Sequence, residues 1–279
     1  MQALVLGTAQ WGNAYGVTNG LGRLTDQQIA EIAEVALEAG IRFADTAAGY
    51  GDAEARLAPW AKEFAITTKV KGSGSIPIPI QISESLARLG VDKIRGCLIH
   101  DWSSLTDQEA MVATKALKEV KEQGKIEKIG ISAYDEQDLQ RALAIFGTVD
   151  AVQVPVSILD RRLIGSDSID ALVAQGCEIQ ARSVFLQGLL AARSDSKLGQ
   201  HPDVRDFHAV CEKSDLNPIQ AALSFVGELV WVSQVIVGFT SALELNEILR
   251  LQTDSTGEAL TKFHGSQDPN LIDPRNWSM

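Results

Sequence analysis

The sequence predicts an α/β fold: a single (β/α)8 TIM barrel over residues 1–279, with the C-terminal tail folded over its site. Three observations carry this. Eight short apolar runs alternate with helix-patterned segments, and the alternation is nowhere interrupted by a linker. A chain of 279 residues can bury the core of one large barrel. Three of the runs end on a reactive side chain, Asp45, Lys69 and His100, at the strand ends where such a barrel builds its site.

Leu4–Leu6 give the first strand, and the loop to Leu24 carries five glycines with Trp11 and Tyr15. Those glycines do not form the G-x-G-x-x-G of a phosphate-binding turn. Thr25 and Gln28 form a capping-box pattern, and Ile29, Ile32, Ala33, Ala36 and Leu37 make one apolar helix face closed by Gly40. Strand two leads to Asp45, helix two spans Asp52–Lys62, and strand three, Phe64–Thr68, delivers Lys69. After a flexible loop over Gly72–Pro79, helix three covers Gln81–Leu89 and strand four Gly96–Ile99. Thr106 caps a helix ending near Gly124; Lys128–Ser132, Glu136–Phe146 and Ala151–Val154 follow as strand, helix and strand. A helix over Ser166–Gln175 precedes strand seven, Glu178–Arg182. Leu190–Pro202 reads as a long polar loop and Asp203–Lys213 as an extra helix. Asn217 and Pro218 are the cap and first residue of the next helix, because proline fits where no N–H is needed. Val235–Val237 is strand eight, Ala242–Leu251 the last barrel helix, and a helix near Glu258–Phe263 precedes the tail.

Acidic residues outnumber basic ones 36 to 25, a net charge of -11, which argues against nucleic-acid or anionic-membrane surfaces as partners. Cys97, Cys177 and Cys211 are far apart and odd in number, which suits free thiols in a reducing cytoplasm better than a disulfide framework. The four histidines lack H-E-x-x-H spacing, so no metal is expected. The most apolar stretch, Ile219–Phe239, contains Gln220, Glu228 and Gln234 and reads as a helix plus a strand, with no membrane span. The first residues lack the basic region and long apolar core of a signal peptide.

The segment FADTAAGYGDAE places Asp45 and Tyr50 on one cleft, and the next two strands bring Lys69 and His100 to it. A tyrosine, with a pKa of about 10, is a weak acid at neutral pH. An ammonium beside it lowers that value, and a carboxylate keeps the ammonium charged. These four residues, ordered along successive strand ends, resemble the catalytic tetrad of the aldo-keto reductases, and the likeness extends over nearly the whole chain.

The resemblance implies an oxidoreductase that interconverts a carbonyl and an alcohol with NADP(H) or NAD(H), Tyr50 acting as the acid. It places Gly7, Thr8 and Asp45 beside the nicotinamide, and Trp11, Tyr15 and Trp102 on the substrate wall; the two first-loop aromatics could equally just pack their loop. Ser132 in GISAY and Gln153 in AVQVP match the carboxamide contacts, or make ordinary strand-end hydrogen bonds; Ala133 stands where the family has an asparagine. In ARSVFLQGLL, Arg182 replaces the tyrosine that stacks on the nicotinamide, a task open to a guanidinium plane, and Ser183, Phe185, Gln187 and Gly188 approach the pyrophosphate. After strand eight the adenosine end falls to Val237, Gly238, Phe239, Thr240, Glu244 and Glu247. Gly238 and Glu244 occupy positions where many members carry the lysine and arginine that grip a 2′-phosphate, so NADH is expected to be usable. Arg193, Lys197 or Arg250 could restore that charge.

The segment ARSVFLQGLL, together with ISAY and PVSILDRR, resembles a branch of the family often found beside cell-surface polysaccharide genes, which implies a leaning towards sugar substrates. Two other functions fit a barrel with these residues: a cofactor-binding regulatory subunit, and an isomerase or aldolase using Lys69 as a Schiff base. The intact tetrad favours the reductase, and an aspartate beside Lys69 opposes the Schiff base. The partner is a small carbonyl compound; oligomeric state is not encoded legibly.

Overall fold

The structure is a computed structural model that describes residues 2–20, 22–251 and 263–277. Eight parallel strands close into a barrel in chain order: β1 (Ala3–Gly7), β2 (Phe43–Asp45), β3 (Ala65–Val70), β4 (Ile94–Ile99), β5 (Ile126–Ser132), β6 (Ala151–Pro155), β7 (Glu178–Arg182) and β8 (Gln234–Gly238). Closure is made by β1, which pairs with β2 through Val5–Gly7 and with β8 through Ala3–Gly7. The (β/α)8 expectation is met.

Helices α1 (Ala9–Gly12), α2 (Asp26–Glu38), α3 (Ala53–Leu57), α4 (Ile78–Leu89) and α5 (Asp107–Glu122) cover the first half of the barrel. The second half carries α6 (Glu136–Phe146), α7 (Asp167–Ala174), α8 (Pro202–Lys213), α9 (Pro218–Gly227) and α10 (Ala242–Arg250). Thr25 and Gln28 make the expected reciprocal cap of α2, and Asn217 accepts from Ile219 N and Gln220 N at the start of α9.

The differences from the sequence reading have local causes. The helix expected over Asp52–Lys62 is α3 followed by a separate 3-10 turn, Ala58–Trp60, because Pro59 has no N–H to continue the ladder. Helix α4 starts at Ile78, with Pro79 in its first turn, where the missing N–H costs nothing. Strands β4 and β5 begin two residues earlier than the apolar runs suggest. Their charged residues Arg95 and Lys128 are accommodated because both pair with Glu178 in the barrel floor. Of the helix expected near Glu258–Phe263, positions 258–262 lie outside the described residues.

The main core fills the space between strands and helices, and a second apolar cluster lies beyond the ends of β6 and β7. There Leu186, Leu189 and Leu190 pack with Phe207 of α8 and with Leu271 and Ile272 of the C-terminal segment. This burial ties the tail to the carboxyl end of the barrel. Among the described residues no helix is long and apolar enough to cross a membrane.

Strand spacing sets a sharp test at Gly130 of β5, where an added Cβ would lie 1.7 Å from the Ala151 carbonyl oxygen. Gly130→Ala is therefore expected to cost about 1–3 kcal/mol by overpacking, read as a lowered urea midpoint. An unchanged midpoint would contradict this β5–β6 spacing.

Candidate active site

Asp45 is the last residue of β2, Lys69 lies one residue from the end of β3, and His100 follows β4. Three neighbouring strands thus bring these side chains to one end of the barrel, where the loop after β2 adds Tyr50. Lys69 Nζ donates to both Asp45 carboxylate oxygens at 2.7 Å, to the Thr46 carbonyl at 3.0 Å and to Tyr50 Oη at 3.4 Å. The same ammonium stands 4.9 Å from the centre of the Tyr50 ring, and His100 meets that ring edge-on at 5.7 Å. All four tetrad residues are brought together.

Backbone contacts hold this group in place. Thr8, wholly buried, donates from both N and Oγ1 to the Asp45 carbonyl at 3.0 Å. Glu54 of α3, four residues after Tyr50, accepts from Thr68 Oγ1 beside Lys69 and from Arg88 Nε, so the tyrosine loop is tied to β3. Gly12 sits so close that an added Cβ would lie 1.7 Å from the Tyr50 carbonyl oxygen. No larger residue fits there without moving the tyrosine.

Burial dominates the electrostatics. The Tyr50 phenol is pushed above its ordinary range by desolvation and then by the Asp45 charge, so it is held as a proton donor. This differs from the expectation that Lys69 lowers it, because desolvation of the buried phenol outweighs an ammonium whose charge the Asp45 carboxylate already meets. Burial also lowers Lys69, with the Asp45 carboxylate working against that shift. His100 is pushed down to about 3 by desolvation and then by the charges of Lys69 and Arg182, which leaves its imidazole neutral.

The aromatic wall differs from the one expected. Trp11 is wholly buried and packs edge-on against Trp60, 6.4 Å away, in the core. Trp102 is equally buried: its indole nitrogen donates to the Asp138 carbonyl and its faces meet Arg141 and Phe146. Tyr15 alone of the three is exposed, at 38%, with its hydroxyl among Tyr50, Arg182, Tyr134 and Lys69. Desolvation of the hydroxyl is the main cause that pushes Tyr15 up to about 12.

Tyr134 is a cleft residue that the sequence reading missed. Its ring lies between Arg182, 4.3 Å away, and Arg275 of the C-terminal segment, 4.2 Å away. Arg275 is held by Asp273 and Asp135, so the tail reaches the rim of the cleft. Only their spatial meeting marks these residues; they are 141 positions apart, and nothing in the local pattern around either announces it. Arg182 is thus already stacked, on Tyr134, while its Nη2 donates to the Ala133 carbonyl and its buried Nε has no partner among the described residues.

Among the expected cofactor residues, Gly7 and Gly238 face each other at the ends of β1 and β8, and Ser132 faces Gln153 across β5 and β6. Gln153 Nε2 donates to Asp45 Oδ1 and to Gln180 Oε1, and its buried Oε1 meets no donor among the described residues. That open acceptor beside Asp45 fits a carboxamide N–H. In the turn after β7, Ser183, Leu186 and Gln187 take positive φ of 61°, 44° and 54°, a strained path of the kind kept at ligand sites. Phe185 is half-buried there. An added Cβ on Gly188, with φ 97°, would strike Thr18 Oγ1 at 1.8 Å, so loops one and seven meet through this glycine.

Among the residues expected to meet the adenosine, Val237 and Phe239 are core residues. The Glu244 carboxylate is engaged by Thr240 N and Oγ1 at 2.7 and 2.9 Å, which makes it part of the cap of α10. Glu247 and Arg250 are exposed further along the same helix. The three cysteines are buried and unpaired.

The comparisons agree with this geometry. The family model described as aldo/keto reductase family matches residues 3–255. The chain is 28% identical to a D-threo-aldose 1-dehydrogenase of a Pseudomonas species, over 88% of this chain and 87% of that protein. It is 34% identical to a methylglyoxal reductase of Salmonella typhi over 46% of this chain and 52% of that one. An aldo-keto reductase structure from Bacillus halodurans superposes with a TM-score of 0.78 at 19% identity, covering 98% of this chain and 95% of that one, a likeness of fold.

The depressed His100 gives a pH signature. The unfolded chain takes up its proton near 6.5 and the folded one only near 3, so this residue lowers stability progressively as pH falls between those values. His100→Gln, which cannot titrate there, is expected to melt at temperatures that gain on the parent between pH 6.5 and 4. A difference constant across that range would contradict a neutral His100.

Proposed function

The chain belongs to the aldo/keto reductase family of carbonyl–alcohol oxidoreductases, and from that premise we propose that it is a nicotinamide-dependent reductase with Tyr50 as its general acid. The observation that carries the reading is the Tyr50 phenol, held protonated, 3.4 Å from the Lys69 ammonium and edge-on to a neutral His100.

A reduced nicotinamide held in the cleft would supply the hydride for the carbonyl carbon. Ser132 and Gln153 would hold its carboxamide; Arg182 lies alongside, and Ser183, Phe185, Gln187 and Gly188 would meet the pyrophosphate. Tyr50 transfers its phenolic proton to the carbonyl oxygen as charge develops on that atom. His100, being neutral, orients the same oxygen through an N–H without competing for the proton. Lys69 then stabilises the phenolate, and Asp45 keeps the ammonium aimed. Reprotonation from solvent restores the tyrosine. The substrate class is a small polar carbonyl compound, sugar aldehydes included, which the aldose dehydrogenase relative and the exposed Tyr15 at the mouth both favour.

For the cofactor we propose that both NADPH and NADH serve. Gly238 and Glu244 supply no positive charge to a 2′-phosphate, and Glu244 is committed to Thr240.

Tyr50→Phe keeps the ring and removes the donor. Its kcat/KM for aldehyde reduction is expected to fall by roughly two to four orders of magnitude, with either cofactor bound within about twofold of the parent. The readouts are nicotinamide absorbance for turnover and nicotinamide fluorescence for binding. Turnover at the parent rate would refute Tyr50 as the acid.

A further inference from the structure

The interior of the barrel is crossed by a line of amides, of which only Gln153 has a part in the proposed reaction. Gln153 of β6, Gln180 of β7 and Gln234 of β8 are register partners on adjacent strands, and all three are buried. Gln180 Nε2 donates to Glu178 Oε1 and to Gln234 Oε1, both at 2.8 Å. Gln180 Oε1 in turn accepts from Gln153 Nε2 at 2.9 Å, and the other Gln153 hydrogen goes to Asp45.

A carboxylate offers acceptors only, so the two ends of this line dictate how every amide in it points. Glu178 is ionised at neutral pH: burial works to raise it, but Arg95, Gln180 and Lys128 hold it down to about 2. It therefore takes a Gln180 hydrogen. The Gln180 oxygen is thereby turned towards Gln153, and the second Gln153 hydrogen is engaged. The last torsion of glutamine is soft, and a single hydrogen bond leaves the amide plane free to pivot. With both hydrogens held, from opposite sides, the plane is fixed and Oε1 is the one group left over.

We infer that Gln180, oriented by Glu178 in the barrel floor, is a positioning residue that fixes the Gln153 carbonyl as the acceptor for the nicotinamide carboxamide. The inference rests on the reading that Gln153 meets that carboxamide. Gln180 touches neither cofactor nor substrate; it acts through Gln153. The same line joins the floor to Asp45, so the cofactor contact and the Asp45–Lys69 pair share one hydrogen-bonded support.

The test compares three ligands by titration calorimetry on the full chain: the oxidised dinucleotide, its 3-acetylpyridine analogue, and ADP-ribose. The analogue keeps the ring carbonyl but has a methyl group in place of the amide nitrogen, so it cannot donate to Gln153. ADP-ribose lacks the ring altogether. The parent is expected to bind the carboxamide form about fivefold or more tighter than the analogue, the loss of one buried hydrogen bond. In Gln180→Met that ratio is expected to fall below about twofold, with ADP-ribose affinity unchanged.

A Gln180→Met protein that keeps the parent ratio overturns the inference while leaving the Gln153 reading intact. A parent with no preference for the carboxamide overturns the Gln153 reading, and the inference with it. Should the methionine protein not fold, Gln180→Asn breaks the same bond and retains an amide in the barrel; it must narrow the ratio too. Loss of ADP-ribose binding in both folded variants would make Gln180 purely architectural and overturn its positioning role.

Discussion

The buried pair of Asp45 and Lys69 is the constraint on which the rest of the site depends. Lys69 is 1% exposed and Asp45 4%, and an ammonium so placed costs several kcal/mol unless its charge is met. The chain meets it with both carboxylate oxygens and the Thr46 carbonyl, and surrounds Asp45 in turn with Gln153 and with Thr8 on its backbone. Removing one member of such a pair typically costs about 3–5 kcal/mol, so the pair sets local geometry as well as charge. Tyr50 receives only the longest of the ammonium's contacts, and burial, reinforced by the Asp45 charge, leaves the phenol protonated.

A second charged cluster balances the first at the opposite end of the barrel. Arg95 and Lys128 converge on Glu178, and the amides of Gln180 and Gln153 span the distance to Asp45. A barrel packed only with aliphatic side chains would leave each carboxylate to be satisfied locally. Here the polar interior connects them, so the strand ends that bear Asp45 and Lys69 are braced from inside as well as by their loops.

Much of this could be read from the chain itself. Apolar runs that stop on Asp45, Lys69 and His100 mark strand ends whatever surrounds them, and the caps at Thr25 and Asn217 are written in adjacent residues. The pocket walls were less legible. Trp11 and Trp102 look like cleft aromatics, but whether an indole faces a pocket or a core is settled by Trp60, Asp138, Arg141 and Phe146, which only the fold brings near. Tyr134 and Arg275 meet across most of the chain's second half, and the glutamine line needs the register of three strands. The sign of the Tyr50 shift also depends on how deeply the fold buries the phenol and on how near it brings the Asp45 charge, neither of which local sequence shows.

Burial and the Asp45 charge together keep Tyr50 a phenol despite the Lys69 ammonium beside it, and the most direct measurement is an ultraviolet difference titration of the parent against Tyr50→Phe. With only three tyrosines in the chain, the tyrosinate signal of one is resolvable. The account predicts that the parent shows no Tyr50 ionisation at the ordinary value of about 10, and that Asp45→Asn, by removing the carboxylate charge, brings that ionisation to lower pH. A Tyr50 that ionises at or below about 10 in the parent, unmoved by Asp45→Asn, would contradict it.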